Sequence, residues 1–185
     1  MNRIIVILCL ILTAALCGCQ DGQRTDREQE IYVAALTGPI TMNPIFLRDA
    51  ASAEVAALLH AGLFVTNPET LEAQPRLIDS WTWDDEHLTY TFSIHEDALW
   101  SDGAPITAED IAFTLRIICH PDYTGWLFLP LQYVEGAERY KEEHNSPLAD
   151  GHISGINVLD DKTLSVTLKE PYAPFLTMLT FAPLP

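Results

Sequence analysis

Three pairs of neighbouring carboxylates are the residues best suited to acid–base chemistry in this sequence: Asp84-Asp85, Glu142-Glu143 and Asp160-Asp161. General acid–base catalysis needs groups whose environments push their pKa values apart. Acidic neighbours at turns or helix ends are usually both solvated, so catalysis is the less favoured interpretation. The sequence also contains no Gly-x-Ser-x-Gly, His-Glu-x-x-His or phosphate-loop motif. We therefore predict that the protein is not an enzyme, with a hydrolase as the remote alternative.

Histidine and cysteine side chains are the remaining candidates for metal binding. Cys119 and His120 are adjacent, but adjacent side chains diverge, and no second Cys/His pair stands at zinc-like spacing. Cys119 also follows two isoleucines near a predicted helix end, which favours burial as a small apolar residue. We therefore predict no metal site and no cofactor. The six histidines are dispersed along the chain: His60, His87, His95, His120, His144 and His152.

The composition is that of a folded acidic protein. The chain has 185 residues, of which 48% are hydrophobic, and a formal net charge of −16 at pH 7. This apolar fraction is ample for a globular core and excludes a disordered acidic tail. A phosphate-binding surface needs clustered Lys and Arg, whereas the 10 basic residues are scattered among 26 acidic ones. Nucleic acid is therefore excluded as a partner.

The first residues have the pattern of an export signal. Arg3 precedes an uncharged apolar run from Ile4 to Leu16. A run of this length suits the core of a signal peptide and is too short to span a bilayer as a helix. The run ends in Leu16-Cys17-Gly18-Cys19, which resembles the lipobox of bacterial lipoproteins.

The lipobox resemblance implies that Cys19 is lipidated and becomes the first residue of the mature chain. Residues 1–18 are then a lipoprotein signal peptide, and the polar residues 19–30 form a flexible tether. Two or more lipid chains suffice for stable anchoring. We expect an exported protein that is anchored to the cell membrane by lipid and faces the periplasm or the cell exterior. An ordinary cleaved signal with chance cysteines is the alternative.

A turn followed by a helix start is the clearest structural signal in the chain. Asp102-Gly103 favours a tight turn, because glycine enters positive φ freely. Thr107 and Asp110 have the spacing of a capping box, and Ile106 and Ile111 occupy the staple positions. The pattern predicts a helix that begins at Ala108.

The other elements follow from hydrophobic periodicity. Asp49 predicts the cap of a helix that buries Val55, Leu58 and Leu59 and ends at a left-handed Gly62. Alternating apolar residues predict two hairpins, from Trp81 to Ile94 and from Ile153 to Leu168, each with a buried face. A polar helix is expected over Val134–Glu143, and a strand over Ile31–Leu36.

Seven short motifs follow one another along the chain. They are Asn43-Pro44, His60-Ala61-Gly62-Leu63, Pro75-Arg76-Leu77-Ile78-Asp79-Ser80-Trp81, Tyr90-Thr91-Phe92-Ser93-Ile94, the run from Trp100 to Ile111, Asp160-Asp161-Lys162-Thr163 and Pro171-Tyr172-Ala173-Pro174-Phe175. Each motif is weak alone, whereas their shared order is specific. In this order they resemble landmarks of the family 5 solute-binding proteins of bacterial ABC importers, and the resemblance covers residues from about Glu30 to Pro185.

The resemblance implies an α/β (mixed α+β) fold of the type II periplasmic-binding-protein-like class. Residues 31–62 would be the first segment of ligand-binding lobe I, residues 63–152 an extra small α+β domain, and residues 153–185 the start of a return into lobe I. Family members have several hundred residues in two lobes. We therefore expect an incomplete N-terminal piece that cannot hold a transport substrate tightly by itself, because a solute is clasped between two faces.

The implied function is that of the extracytoplasmic substrate-binding component of an ABC importer, most readily for peptides. Its partners would be the permease subunits, a peptide or another small solute, and the membrane through the lipid anchor, and the protein would be a monomer. A truncated surface lipoprotein that acts as an interaction module is the alternative, and a hydrolytic lipoprotein is the remote one.

The resemblance also places Arg48, Asp49 and Ala50 along the ligand cleft. Arg48 stands where some peptide binders carry an acidic residue that meets the amino group of the ligand, which argues against amine recognition by that route. The alternative is that Arg48 and Asp49 are a solvated charge pair at a helix start.

Overall fold

The computed structural model describes residues 37–143, apart from Asp85 and His87, and residues 151–185. The expected signal peptide 1–18, Cys19, the tether 19–30 and the expected strand 31–36 lie outside the described residues, as does His144. Across the described ranges, every helix is too short or too polar to cross a bilayer.

The described residues form a helix, four strands, three helices, two strands and a final helix, in that order along the chain. The helices are α1 (Ala50–Leu59), α2 (Ala108–Cys119), α3 (Phe128–Leu131), α4 (Ala137–Glu142) and α5 (Phe175–Met178). The strands are β1 (Phe64–Thr66), β2 (Ala73–Pro75), β3 (Ile78–Trp83), β4 (Thr89–Ile94), β5 (Ile156–Asp160) and β6 (Thr163–Thr167).

Both predicted hairpins form, and they pair with each other. β3 and β4 make the first hairpin, β5 and β6 make the second, and all neighbours in the sheet order β3-β4-β6-β5 are antiparallel. The junction is β4 with β6, in register from Thr89 opposite Thr167 to Ser93 opposite Thr163. Residues 63–152 and 153–185 therefore share one sheet in this chain. Their assignment to separate domains of a longer protein stays a prediction.

The core lies between this sheet and α2. β4 alternates as expected, with Tyr90, Phe92 and Ile94 buried. α2 turns Ile111, Leu115 and Ile118 inward and lies against β5 and β6. Each such side chain contributes about 1.5–3 kcal/mol when it is fully buried. Aromatic rings extend this core, with Phe64 edge-on to Trp81 at 5.3 Å and Phe175 tilted against Tyr90 at 5.1 Å.

The helix start at Ala108 is confirmed in detail. Thr107 Oγ1 accepts from the Asp110 N–H at 3.4 Å, and Asp110 Oδ2 accepts from the Thr107 N–H at 2.7 Å. Gly103 has φ +88, and Asp102 Oδ1 accepts from the Ala104 N–H at 2.9 Å. The turn and the cap therefore form as the sequence indicates.

The predicted buried face of α1 is wrong at Leu58 and Leu59, and Val55 is half-buried. Leu58 and Leu59 are 62% and 61% exposed, whereas Ala51, Ser52 and Ala56 are buried. The physical reason is a pair of hydrogen bonds, because Ser52 Oγ accepts from the backbone N–H groups of residues 40 and 41 at 2.9 and 3.1 Å. These bonds turn the Ser52 side of the helix toward the preceding segment, and the two leucines face away from it.

Two helix ends also differ from the expectation. α1 ends at Leu59 with an extended His60, and Gly62 does not have positive φ. Gly62 instead permits a close approach, because a Cβ there would lie 2.4 Å from the carbonyl oxygen of Thr180. The polar helix α4 begins at Ala137 rather than at Val134, since Gly136 with φ +79 is its N-cap residue.

Replacing Thr107 tests the cap of α2. We expect Thr107→Ala to lower the free energy of unfolding by about 1 kcal/mol, because the Asp110 N–H loses its acceptor at a largely buried helix start. Thr107→Ser keeps the hydroxyl and is the matched control. Urea unfolding followed by circular dichroism measures both variants. Equal losses in the two would assign the effect to the threonine methyl group instead.

Candidate functional site

The segment before α1 is folded by a side-chain turn. Asn43 Oδ1 accepts from the Ile45 N–H at 3.2 Å, and the Asn43 carbonyl accepts from the Phe46 N–H at 3.1 Å. Asparagine favours such turns because its side chain bonds to the backbone two residues further on. Ile45 is then buried, and the chain reaches Arg48 and Ala50 at the surface.

Asp49 has a structural role at the start of α1. Its Oδ1 accepts from the Ser52 N–H at 2.8 Å, and its Oδ2 accepts from the Ser52 hydroxyl at 2.6 Å. These two hydrogen bonds lower the pKa of Asp49 below its ordinary value, and the bond from the Ser52 hydroxyl has the larger effect. A carboxylate at a helix N-terminus is also favoured by the helix dipole. Asp49 is therefore committed to its cap and stays ionised.

Arg48 is exposed and is held by a residue far along the chain. Its Nη2 donates to Thr124 Oγ1 at 2.8 Å. Across the described residues, Arg48 forms no ion pair, and this includes its neighbour Asp49. The exposure of Arg48 is compatible with the alternative of solvated charges at a helix start, so the binding role of Arg48 and Asp49 stays a prediction. Ala50, the first residue of α1, is exposed beside them.

The loop that carries Thr124 is fixed on two sides. The Tyr123 hydroxyl donates to the Ile45 carbonyl at 2.7 Å, and the Tyr123 ring lies 5.2 Å from that of Phe46. Burial raises the pKa of Tyr123, which keeps this hydroxyl a donor. Lys141 on α4 donates to the carbonyls of His120 and Tyr123 at 3.0 and 2.9 Å. The candidate site is therefore Arg48, Asp49 and Ala50 together with Thr124.

Sequence reasoning missed the second half of this site. Arg48 and Thr124 are 76 residues apart, and Ile45 and Tyr123 are 78 apart. The segment around Thr124 reads only as an aromatic and proline-containing loop. Neither periodicity nor a motif signals that a loop threonine meets an arginine before α1, so only the tertiary fold identifies it.

Asp84 and Asp160, one member of each aspartate pair, have turn-forming contacts rather than the features of an acid–base site. Asp84 accepts from the N–H groups of Leu88 and Thr89 at 2.8 and 3.2 Å. Asp160 Oδ1 accepts from the Lys162 N–H at 2.8 Å, and this bond is the largest of the effects that lower the pKa of Asp160. A general acid needs the opposite shift. Glu142 and Glu143 lie at the exposed end of α4.

The metal-ligand candidates do not converge in the described part of the chain. No three His, Cys, Asp or Glu side chains described there form a group that could hold a metal ion. His60, His95 and His120 have separate neighbours, namely the Met42 carbonyl, Asp79 and Asp122. The predicted burial of Cys119 is confirmed at 0% exposure, and this burial raises the pKa of its thiol to about 12.

Residues 72–185 match the family described as bacterial extracellular solute-binding proteins, family 5 Middle. The chain belongs to this family. The resemblance drawn from the ordered motifs is therefore confirmed. In this family 5 protein, the match begins just before β2 and covers the whole four-stranded sheet.

Several curated relatives of this family 5 chain are named as peptide-binding proteins, and one is named as a probable deoxycholate-binding periplasmic protein, YgiS of Escherichia coli. The dipeptide-binding protein DppE of Bacillus subtilis is 27% identical over 184 residues, which cover 94% of this chain and 33% of the relative. The periplasmic oligopeptide-binding protein OppA of Escherichia coli is 30% identical over 141 residues, which cover 75% of this chain and 25% of the relative. The chain thus spans about a quarter to a third of these relatives.

Solved structures confirm the periplasmic-binding-protein-like α/β fold. A periplasmic oligopeptide-binding protein of Borrelia burgdorferi (OppAIV) superposes with a TM-score of 0.67 at 29% identity over 80% of this chain and 30% of its own. The pheromone receptor PrgZ gives 0.69 at 23% identity over 79% of this chain and 28% of its own, which supports the fold alone.

The pH dependence of stability tests the role of Asp49. Because its pKa is lower in the folded than in the unfolded protein, its charge stabilises the fold above the ordinary pKa of 3.8. This contribution is lost as the pH falls through the lower folded value. We therefore expect Asp49→Asn to destabilise the protein more at pH 7 than at pH 3.

Urea unfolding over this pH range measures the effect, and Glu54→Gln on the exposed side of α1 is the charge-matched control. A stability difference between the wild type and Asp49→Asn that is the same at both pH values would contradict the cap as described.

Proposed function

We propose that the protein is the peptide-binding component of an ABC importer. The observation that carries this proposal is the family 5 match over residues 72–185, joined to relatives that are named for dipeptide and oligopeptide binding. A structure of Haemophilus influenzae OppA in complex with the peptide RPPGFSPFR, at 27% identity and a TM-score of 0.65, supports the same substrate class. Permease subunits are the proposed protein partners.

The proposed binding surface is the strip from Arg48 to Ala50 with Thr124 beside it. Its backbone is fixed at both ends, by the Asn43 turn and by the Asp49 cap. A rigid, exposed strip suits an extended ligand, because little ordering is needed when the peptide binds. Asp49 contributes by holding the strip, and Arg48 offers the charged group that a ligand meets.

Tight binding requires, in this proposal, a second face that closes on the peptide. Closure is favoured only if the ligand contacts both faces, since a ligand without differential affinity for the closed state shifts no equilibrium. The described residues supply one face. They include the candidate strip, and the chain spans about a third or less of the length of DppE and OppA.

A binding panel tests the substrate class. We expect the full-length gene product to show saturable thermal shifts and calorimetric binding with short peptides, and none with sugars or metal ions. Residues 19–185 alone are the second sample and are expected not to bind any peptide with sub-micromolar affinity, because they supply one face. Saturable binding of a sugar or a metal, without peptide binding, would contradict the proposal.

We further propose that Cys19 carries the lipid anchor. The support is the sequence resemblance to a lipobox and the apolar core before it. In a bacterial host, wild-type protein is expected in the membrane fraction, with a diacylglycerol-modified N-terminal cysteine in its mass spectrum. Cys19→Ser is expected to lose both the mass increment and the membrane association. The matched control is Cys17→Ser, which is expected to retain both. Membrane association that survives Cys19→Ser would contradict this assignment.

A further inference from the structure

We propose that Arg48 binds a carboxylate of the ligand, so that the protein prefers peptides that present a carboxylate at this position. The inference deepens the proposed function and rests on it. It concerns one named side chain, its anchor on Thr124, and the charges that surround the two.

Among the basic side chains of the described part, Arg48 is left without an acidic partner although the chain is strongly acidic. Three of the others pair with glutamates, as Arg116–Glu109, Arg139–Glu143 and Lys169–Glu138. The Nζ groups of Lys141 and Lys162 donate to backbone carbonyls. The remaining one, Arg76, likewise has no acidic partner among the described residues, but it also lacks a hydrogen bond to them that orients it. Arg48 thus combines a fixed anchor with a charge that has no ion-pair partner among the described residues.

The anchor leaves the guanidinium ready for a second, planar partner. Arginine has five N–H donors, and the bond from Nη2 to Thr124 Oγ1 occupies one of them. Thr124 is a neutral acceptor, so the positive charge of Arg48 remains available. A carboxylate can accept two parallel hydrogen bonds from such a guanidinium, which makes the contact both stronger and more directional than one to a neutral group.

The neighbouring acidic groups do not take the place of this ligand. Both carboxylate oxygens of Asp49 accept from Ser52. Asp122, on the loop before Thr124, has a side chain that is 95% exposed and lies 3.7 Å from His120 Nδ1. The overall net charge of −16 opposes anions only weakly at this range, because salt screens exposed charges beyond about 8 Å at physiological ionic strength. A direct contact with Arg48 therefore decides the preference.

The ligand amino group is disfavoured at the same position. An ammonium placed near Arg48 meets a like charge, and the closest carboxylate in sequence, Asp49, is already engaged by its cap. The attraction of Arg48 for a carboxylate and its repulsion of an ammonium group therefore favour the same ligand group. This carboxylate can come from the C-terminus of a peptide or from an acidic side chain, and the experiment separates these two sources.

Calorimetry on the full-length gene product tests the inference with four sets of short alanine peptides. The sets are a free-acid peptide, its C-terminal amide, amides with one Glu placed in turn at each position, and the same amides with Gln. We expect one carboxylate-bearing set to bind about 10- to 100-fold more tightly than its matched carboxylate-free set. A preference for the free acid identifies the C-terminus as the source, and a preference for Glu over Gln identifies a side chain.

Variants connect the preference to Arg48. Arg48→Gln is expected to abolish it, by weakening the carboxylate-bearing set alone, and Arg48→Lys is expected to restore part of it. Arg139→Gln on α4 removes the same charge from an exposed ion pair and is expected to leave the preference intact. Unchanged melting temperatures show that all three variants fold.

Two results would overturn the inference alone. One is a wild-type protein that binds peptides with and without carboxylates equally well, and the other is an Arg48→Gln variant that weakens all sets by the same factor. A wild-type protein that binds no peptide in any set would instead contradict the proposed function itself, and the inference would fail with it.

Discussion

The pairing of β4 with β6 is the constraint on which the rest of this structure depends. It joins two hairpins whose strands are more than sixty residues apart, and it makes β6 a central strand with three consecutive buried residues, Leu164, Ser165 and Val166. An isolated two-stranded hairpin is marginally stable at best, and independent stability needs three or more strands with a hydrophobic face or a helix packed on the sheet. The face made by Tyr90, Phe92 and Ile94 then gives the sheet side of the core. α2 lies against β5 and β6 of this assembled sheet, and Phe175 of α5 lies against Tyr90 on β4.

The candidate site depends on a different kind of interaction, since its parts are held by buried polar groups. Ser52 is 0% exposed and links the start of α1 to the preceding segment: it donates to Asp49 and accepts from the N–H groups of residues 40 and 41. A buried polar group without a partner costs about 1–3 kcal/mol, so these bonds specify one orientation of α1. Arg48 and Ala50 are consequently presented at a fixed place, while the leucines that periodicity assigns to the core stay exposed.

Local chemistry explains which expectations succeeded. The capping box at Thr107, the Asp102-Gly103 turn, the two hairpins and the burial of Cys119 depend on neighbouring residues or on alternation, and the sequence carries both signals. The buried face of α1 and the role of Gly62 depend instead on residues 40 and 41 and on Thr180. The contact between Arg48 and Thr124 likewise joins segments without a shared motif. Such contacts are set by how elements pack, and hydrophobic periodicity does not encode them.

The orientation of Arg48 also depends on α4. Arg48 bonds to Thr124, and α4 holds the loop that carries Thr124. Lys141 on α4 donates to the His120 and Tyr123 carbonyls and lies 4.6 Å from the ring centre of Phe128. Burial lowers the pKa of Lys141, so its charge is disfavoured by desolvation and compensated by carbonyl oxygens and an aromatic face. Those bonds fix the backbone from which the Thr124 side chain projects. The direction in which Arg48 points is thus set by α4, across a loop, rather than by its own segment alone.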